Sequence, residues 1–123
     1  MKYFAMMMLP VHFGFCWDEK TYLKEMKRLG VGNHNPFQQK VSAKTEVFTH
    51  ENDMDTIVVV LVEKSREPRI IYPLLCHEAV HAWEGIKKAM RTEQDHEEFK
   101  AYTIQYLVQL MIDELEKKNA KKR

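Results

Sequence analysis

The chain has 123 residues, of which 45% are hydrophobic and 30% are charged, and its formal net charge is +1. These values are ordinary for a globular protein and exclude an intrinsically disordered chain. The small net charge creates no overall field that would attract nucleic acid or an anionic membrane, so we expect neither as a partner. The length predicts one domain over residues 1–123. The basic tail at 117–123 is interpreted as a solvated helix C-terminus, where cations complement the helix dipole.

The N-terminal segment and the two cysteines bear on the cellular compartment. The run "MKYFAMMMLPVHFGFCW" is interrupted by Pro10 and His12, and no small-x-small cleavage site follows it, so we expect no signal peptide. The run is too short to span a bilayer and is predicted to be a buried strand or a broken strand pair. Cys16 and Cys76 cannot form a disulfide framework, so we expect free thiols, with Cys76 buried, in a cytoplasmic protein.

The middle of the chain predicts a short helix followed by a strand pair. Asp18 can cap the helix and Gly30 can end it, and its apolar face consists of Tyr22, Leu23, Met26 and Leu29. Residues 41–50 are predicted to form a strand with Val41, Ala43 and Val47 on one face. The run "TIVVVLVE" at 56–63 predicts a second strand that is buried on both faces and pairs with the first.

Two long helices follow, and they complete an α+β layout. Pro73 suits the first turn of a helix, so the first is expected from about Pro73 to Met90. The second should cover roughly Asp95 to Lys118. It is anchored in the core by apolar residues at helical spacing, namely Ile104, Leu107, Val108, Met111 and Leu115. The element order is therefore strand, helix, strand pair, helix, helix.

The stretch "LLCHEAVHAWEG" at 74–85 carries the chemical signal of this sequence. Residues four apart face the same way on a helix, so His77 and His81 can bind one metal ion. Glu78 lies beside the first histidine and can take a proton from a water at the metal without itself binding the ion. The alternative is that a short motif has arisen by chance and that both histidines are satisfied in a core.

A catalytic zinc site needs a third protein ligand, and the sequence offers several acidic candidates. The metzincin pattern is absent, because Gly85 lies four residues after His81 and Lys88 stands where that pattern has its third histidine. Glu84 is on the motif helix, where a rigid helix would struggle to wrap three ligands around one ion. The segment "TEQDHEEFKAYTIQY" offers Glu98, with small Ala101 one turn later to allow close helix approach.

Other interpretations of this acidic segment remain open. Glu97, His96 and Asp95 are further ligand candidates, although they fit no pattern. Asp95 and Glu98 could instead form a capping box at the start of the helix. Tyr102 and Tyr106 could donate a hydrogen bond to an oxyanion, or they could be core aromatics with a hydrated hydroxyl. His34 and His50 fall in predicted loops and carry no specific signal.

"HEAVH" followed by "EFKAY" resembles the active-site helix and the glutamate helix of gluzincin-type zinc metallopeptidases. The resemblance is local, covers about residues 73–108 and extends to small zincin-like proteins, including minigluzincins and bacteriophage proteins. It implies a minimal zincin-like fold, in which a short sheet packs on the two helices. It also implies His77, His81 and Glu98 as zinc ligands and Glu78 as the general base, with Tyr102 as a candidate oxyanion donor.

The resemblance therefore implies a zinc-dependent peptidase that hydrolyses a peptide or protein substrate. It further implies that the strand at 56–63 lies beside the motif helix and can align an extended substrate, although its apolar density also suits a central strand. One alternative is a zinc-binding, non-catalytic interaction module, for instance a phage-encoded protein that acts on a host protein. Another is an interaction module without metal.

Overall fold

The computed structural model describes residues 1–5, 11–29, 43–49, 56–62, 67–91 and 96–121. Its strands are β1 (Lys2–Ala5), β2 (Val11–Cys16), β3 (Ala43–Thr49) and β4 (Thr56–Val62), and its helices are α1 (Glu19–Arg28), α2 (Pro68–Ala89) and α3 (Glu97–Lys121). Four strands and three helices in this order confirm the predicted α+β class. The N-terminal segment contains a strand pair, which was one of its two predicted forms.

The four described strands form one mixed sheet in the order β1-β2-β4-β3. β1 and β2 are antiparallel, β2 and β4 are parallel, and β3 and β4 are antiparallel. The predicted pairing of the two middle strands is therefore confirmed. β4 is a central strand, as its apolar density suggested, so it has no free edge to align an extended substrate. In the described sheet, the strand beside it, β3, occupies the edge.

β4 is apolar on both of its faces, so helices can cover the sheet on both sides. Val58, Val60 and Val62 pack into a core with α2 and α3, whereas the alternate residues Ile57, Val59 and Leu61 pack into a second core with α1. Successive side chains of a strand point to opposite faces, so a strand with a helix layer on each side must be apolar throughout. The predicted burial of both faces is confirmed for residues 57–62.

α1 follows its sequence prediction closely. The backbone N–H of Thr21 donates to Asp18 Oδ1 at 2.7 Å, which confirms the predicted N-cap. Tyr22 and Met26 are buried against the sheet, but Leu23 is exposed, so the apolar face is narrower than predicted. The helix ends with Leu29 as its C-cap, and Gly30 lies outside the described residues, as do Val41, His34 and His50.

α2 begins five residues earlier than predicted. Pro68 occupies the first turn, and the N–H groups of Ile70 and Ile71 each donate to the Glu67 carbonyl at 2.8 Å. Pro73 therefore lies inside the helix, where it removes one backbone hydrogen bond. This is tolerated because Pro73 and Arg69, whose carbonyl loses that bond, are both exposed to water. The prediction was wrong because Pro68 and Pro73 both fit a first turn.

α3 packs on α2 through its apolar side. Leu107, Met111 and Leu115 are buried and Ile104 and Val108 are partly buried, as predicted. The expected close approach at Ala101 is wrong, because Ala101 is exposed. The Phe99 ring instead contacts Trp83 of α2, with centroids 5.8 Å apart, so an aromatic pair sets the spacing there. No described helix is both long enough and apolar enough to cross a membrane.

Candidate metal site

One side of α2 faces the core, and His77, Glu78 and His81 lie along the edge of that side. The core-facing positions repeat at intervals of three and four residues, as expected for an amphipathic helix, and comprise Ile71, Leu75, Ala79, Ala82, Trp83 and Ile86. The helix is not surrounded by the core on all sides, since Val80 is 44% exposed. The histidines His77 and His81 are exposed at the margin, whereas Glu78 is only 4% exposed. Two accessible imidazoles therefore adjoin one buried carboxylate.

The two histidine rings approach each other through their Nε2 atoms. Their Nε2 atoms lie 3.2 Å apart, and the ring planes are inclined at 67°. His77, Glu78 and His81 each offer a ligand atom, and these atoms all lie within 4.8 Å of one another. The helical spacing alone produces this grouping, because residues i and i+4 are neighbours on the helix surface. The three side chains can hold a metal ion.

The histidine geometry fits a tetrahedral zinc ion. Two nitrogens that are each about 2.0–2.1 Å from one ion, at the tetrahedral angle of about 109°, are separated by about 3.3 Å. The observed Nε2 separation of 3.2 Å agrees with this value. A neutral imidazole nitrogen is also a common zinc ligand. The donor set is thus suited to zinc, although several divalent ions share these preferences.

Glu78 is held on the side of the edge strand β3. The Thr45 hydroxyl lies 3.3 Å from Glu78 Oε2 and 3.2 Å from the Glu78 carbonyl oxygen. Burial raises the pKa of Glu78, and this effect is opposed by the charges of His81 and His77 and by the Thr45 hydrogen bond. A carboxylate whose pKa is raised binds a proton more readily, which is the property that a general base requires.

An open cleft of about 630 Å³ lies between β3 and α2. Its volume falls within the range that is usual for ligand sites, about 300–1,000 Å³. β3 contributes Ala43, Thr45 and Val47, and α2 contributes His77, Glu78, His81, Glu84, Gly85 and Lys88. Three strand residues share this face because alternate residues of a strand point the same way. The two histidines are thus accessible from solvent, and the buried Glu78 belongs to the lining of the same cleft.

The predicted partners on α3 lie outside this cleft. Glu98 is exposed in the first turn of α3, and so is Glu97. Tyr102 is 67% exposed and Tyr106 is 47% exposed, so neither is a core aromatic. Among the residues that the structure describes, the cleft lining includes none of these four side chains. Asp95 falls outside the described residues. The role of Glu98 as third ligand stays a prediction, as does that of Tyr102.

Two cleft residues were not recognised in the sequence as part of a site. Thr45 is a polar residue between Ala43 and Val47 on the predicted apolar face of the strand. This departure from the apolar pattern is the feature of the sequence that could have marked Thr45 as a site residue. Lys88, which stands where the metzincin pattern has a histidine, lines the cleft one turn beyond Glu84, and no sequence pattern marked it as a site residue. Both cysteines are free thiols as expected, but Cys76 is exposed, so its predicted burial is wrong.

Comparison with known proteins gives no relative from which a function could be transferred. The chain matches no protein-family model, and no significant match was found among curated proteins or solved structures.

Proposed function

We propose that this protein is a zinc-dependent metallopeptidase that hydrolyses a peptide bond in the cleft between β3 and α2. The observation that carries the proposal is the 3.2 Å approach of the His77 and His81 Nε2 atoms beside the buried carboxylate of Glu78. Two neighbouring imidazoles with an adjacent acid are part of the arrangement that metal-assisted hydrolysis requires, which a third protein ligand completes. The open cleft provides access for a substrate.

His77 and His81 would hold the zinc ion, and Glu98 is the third ligand that the resemblance to gluzincins implies. When bound, zinc supplies Lewis acidity, which polarises a carbonyl group and makes a water molecule more acidic. The contact of Phe99 with Trp83 fixes the start of α3, where Glu98 lies, against the motif helix. The fold that we propose on these grounds is a minimal zincin-like one.

Glu78 acts as the general base. Its carboxylate accepts a proton from the attacking water and then returns this proton to the departing amine, so that proton balance is kept. The burial that raises the pKa of Glu78 favours the first of these transfers, because the protonated form is stabilised relative to that of an exposed glutamate. Tyr102 remains the proposed donor to the developing oxyanion.

The substrate that we propose is an extended peptide lying along β3. β3 is an edge strand of the described sheet, and its face toward α2 lines the cleft. An extended chain can add to such an edge through main-chain hydrogen bonds, which confer little dependence on side-chain identity. The proposed position of the substrate strand is beside β3 and not beside β4, because β4 is paired on both sides.

A zinc-binding interaction module is the second candidate, and one observation favours it. In the part of the chain that the structure describes, the cleft contains the two histidines and Glu78 but neither Glu98 nor Tyr102. A module that uses zinc to stabilise a binding surface needs neither an activated water nor an oxyanion donor. The two functions therefore differ in whether Glu78 is required as a base.

Zinc analysis combined with a Glu78→Gln variant tests the proposal. Glutamine keeps the size of glutamate but lacks the basicity, so the variant should retain about one zinc per chain. Its hydrolysis of a peptide library should fall by about two to four orders of magnitude, the usual contribution of a general base. Glu116→Gln is a matched control, because Glu116 is an exposed glutamate of α3 outside the cleft.

The outcomes separate the candidates. Zinc binding with hydrolysis that is lost in Glu78→Gln and retained in Glu116→Gln supports the peptidase. Zinc binding without any hydrolysis, or hydrolysis that is equal in wild type and Glu78→Gln, rules out the peptidase and leaves the module. Absence of zinc from the wild type after purification under zinc-replete conditions rules out both.

A further inference from the structure

One hydroxyl group of the edge strand contacts two oxygen atoms of the motif helix. Thr45 Oγ1 lies within hydrogen-bonding distance of two acceptors on the same residue, the carbonyl oxygen and Oε2 of Glu78, at 3.2 and 3.3 Å. The two residues are 33 positions apart in the chain, so only the tertiary fold brings them together. The contact therefore joins the wall of the cleft to the side chain that we propose as the base.

We propose that Thr45 is a positioning residue that holds the Glu78 carboxylate in its catalytic orientation. This inference rests on the proposed function, in which Glu78 acts as the general base. A glutamate has three side-chain torsions and can adopt many rotamers, so an unrestrained carboxylate would spend much of its time away from the reacting water. A base that is out of place by about 1 Å can lose on the order of 100-fold in rate.

The hydroxyl is suited to this role in both states of the base. It can donate its proton to the ionised carboxylate. When Glu78 carries a proton, the same hydroxyl can donate to the Glu78 carbonyl and accept from the carboxylic acid. The oxygen contacts need not change between the two arrangements. The hydroxyl can thus restrain the carboxylate before and after it accepts a proton.

The strand gives Thr45 a rigid support. Thr45 is in the middle of β3, opposite Val60 of β4, and Val60 is fully buried. A β-branched side chain also has few accessible rotamers, so the hydroxyl keeps its direction once the backbone is fixed. Functional groups that are supported by regular elements are placed more accurately than groups on loops. Valine has nearly the same shape as threonine, so a valine at position 45 would fill the same space without the hydroxyl.

Kinetics of Thr45→Val and Thr45→Ser test the proposal with full-length, zinc-loaded protein. We expect Thr45→Val to lower kcat by about 10- to 100-fold with KM changed less than about twofold, and Thr45→Ser to recover most of the loss. Thr103→Val serves as a control, because Thr103 is a buried threonine of α3 outside the cleft. Equal kcat values for wild type and Thr45→Val, in an active wild type, overturn the positioning role and leave the peptidase intact.

Crystal structures of the same variants without metal provide a readout that does not depend on activity. In Thr45→Val we expect the Glu78 carboxylate to leave its position beside β3 or to occupy several rotamers, and in Thr45→Ser to stay in place. A single unchanged rotamer in Thr45→Val overturns the proposal. If the wild type shows no hydrolysis, the peptidase fails and the catalytic role of Thr45 falls with it, whereas the crystal structures still decide whether Thr45 orients Glu78.

Discussion

Gly85 of α2 and Val47 of β3 lie so close together that no side chain fits between them. A Cβ atom built on Gly85 would be 2.7 Å from Val47 Cγ2, and it would also be 3.3 Å from Cγ2 of the buried Val58. Glycine is unfavourable inside a helix, so its presence here is explained by the close packing of the helix on the edge strand. Both residues of this contact belong to the lining of the cleft.

Gly85→Ala should therefore destabilise the protein, although alanine favours helices. The helix-propensity gain of about 1 kcal/mol should be outweighed by overpacking, which costs about 1–3 kcal/mol. We expect a net decrease of about 1 kcal/mol in the free energy of unfolding, measured by urea denaturation. The double variant Gly85→Ala/Val47→Ala is the control, because it removes the closest contact and, relative to Val47→Ala alone, should recover the helix-propensity gain. A single variant more stable than the wild type would contradict this packing.

The third zinc ligand can be identified by comparing two glutamates. Glu98→Gln should weaken zinc binding at least about tenfold, because loss of even an outer-shell partner typically costs about 10- to 100-fold. Glu84→Gln is the matched comparison, since Glu84 lines the cleft one turn beyond His81. Competition with a chromophoric chelator measures both affinities. A larger loss in Glu84→Gln, or in Glu97→Gln, would assign the third position to that residue instead.

Zinc should stabilise the folded protein through the histidine pair. A ligand that binds only the native state at 100 times its Kd contributes about 2.7 kcal/mol, which corresponds to a rise in Tm of roughly 10 °C for a chain of this size. Thermal unfolding with and without added zinc measures the effect, and a chelator should reverse it. His81→Ala should show no zinc-dependent shift, because one imidazole cannot replace the pair. An equal shift in His81→Ala would locate the zinc elsewhere.

Glu25 on α1 predicts how stability responds to acid. Hydrogen bonds from the Arg28 guanidinium lower the pKa of Glu25, and the Tyr3 hydroxyl, which donates at 3.1 Å, acts in the same direction against the effect of burial. A carboxyl group whose pKa is lower in the folded state stabilises the protein above its unfolded pKa of about 4.3. This contribution is lost as the pH falls through the lower, folded pKa.

Glu25→Gln should remove this acid-dependent contribution. Urea denaturation between about pH 3 and pH 7 measures the free energy of unfolding of both proteins. As the pH is lowered, this free energy should fall more steeply for the wild type than for the variant. The two curves should diverge below about pH 4.5. Glu116→Gln is again a suitable control, since Glu116 is exposed on α3. Parallel stability curves for the wild type and Glu25→Gln would contradict the lowered pKa.

Features that depend on neighbours along the chain could be predicted from the sequence. The i, i+4 spacing of His77 and His81 was sufficient to predict their convergence, because helical periodicity is a local property. The cap at Asp18 and the two-faced burial of β4 are local in the same sense, since each follows from side-chain type and period. These parts of the fold and of the candidate site required no knowledge of how the elements pack.

The tertiary structure decided what surrounds that motif. The sequence did not show that β4 pairs with β2, which leaves β3 at the edge beside the motif helix. It therefore did not show that Thr45 meets Glu78 or that Gly85 packs on Val47. Such contacts depend on strand order and on the placement of α2 over the sheet. The strand order and the placement of α2 are set by the burial of apolar surface over the whole chain. They cannot be predicted from the spacing of residues that are neighbours in the sequence.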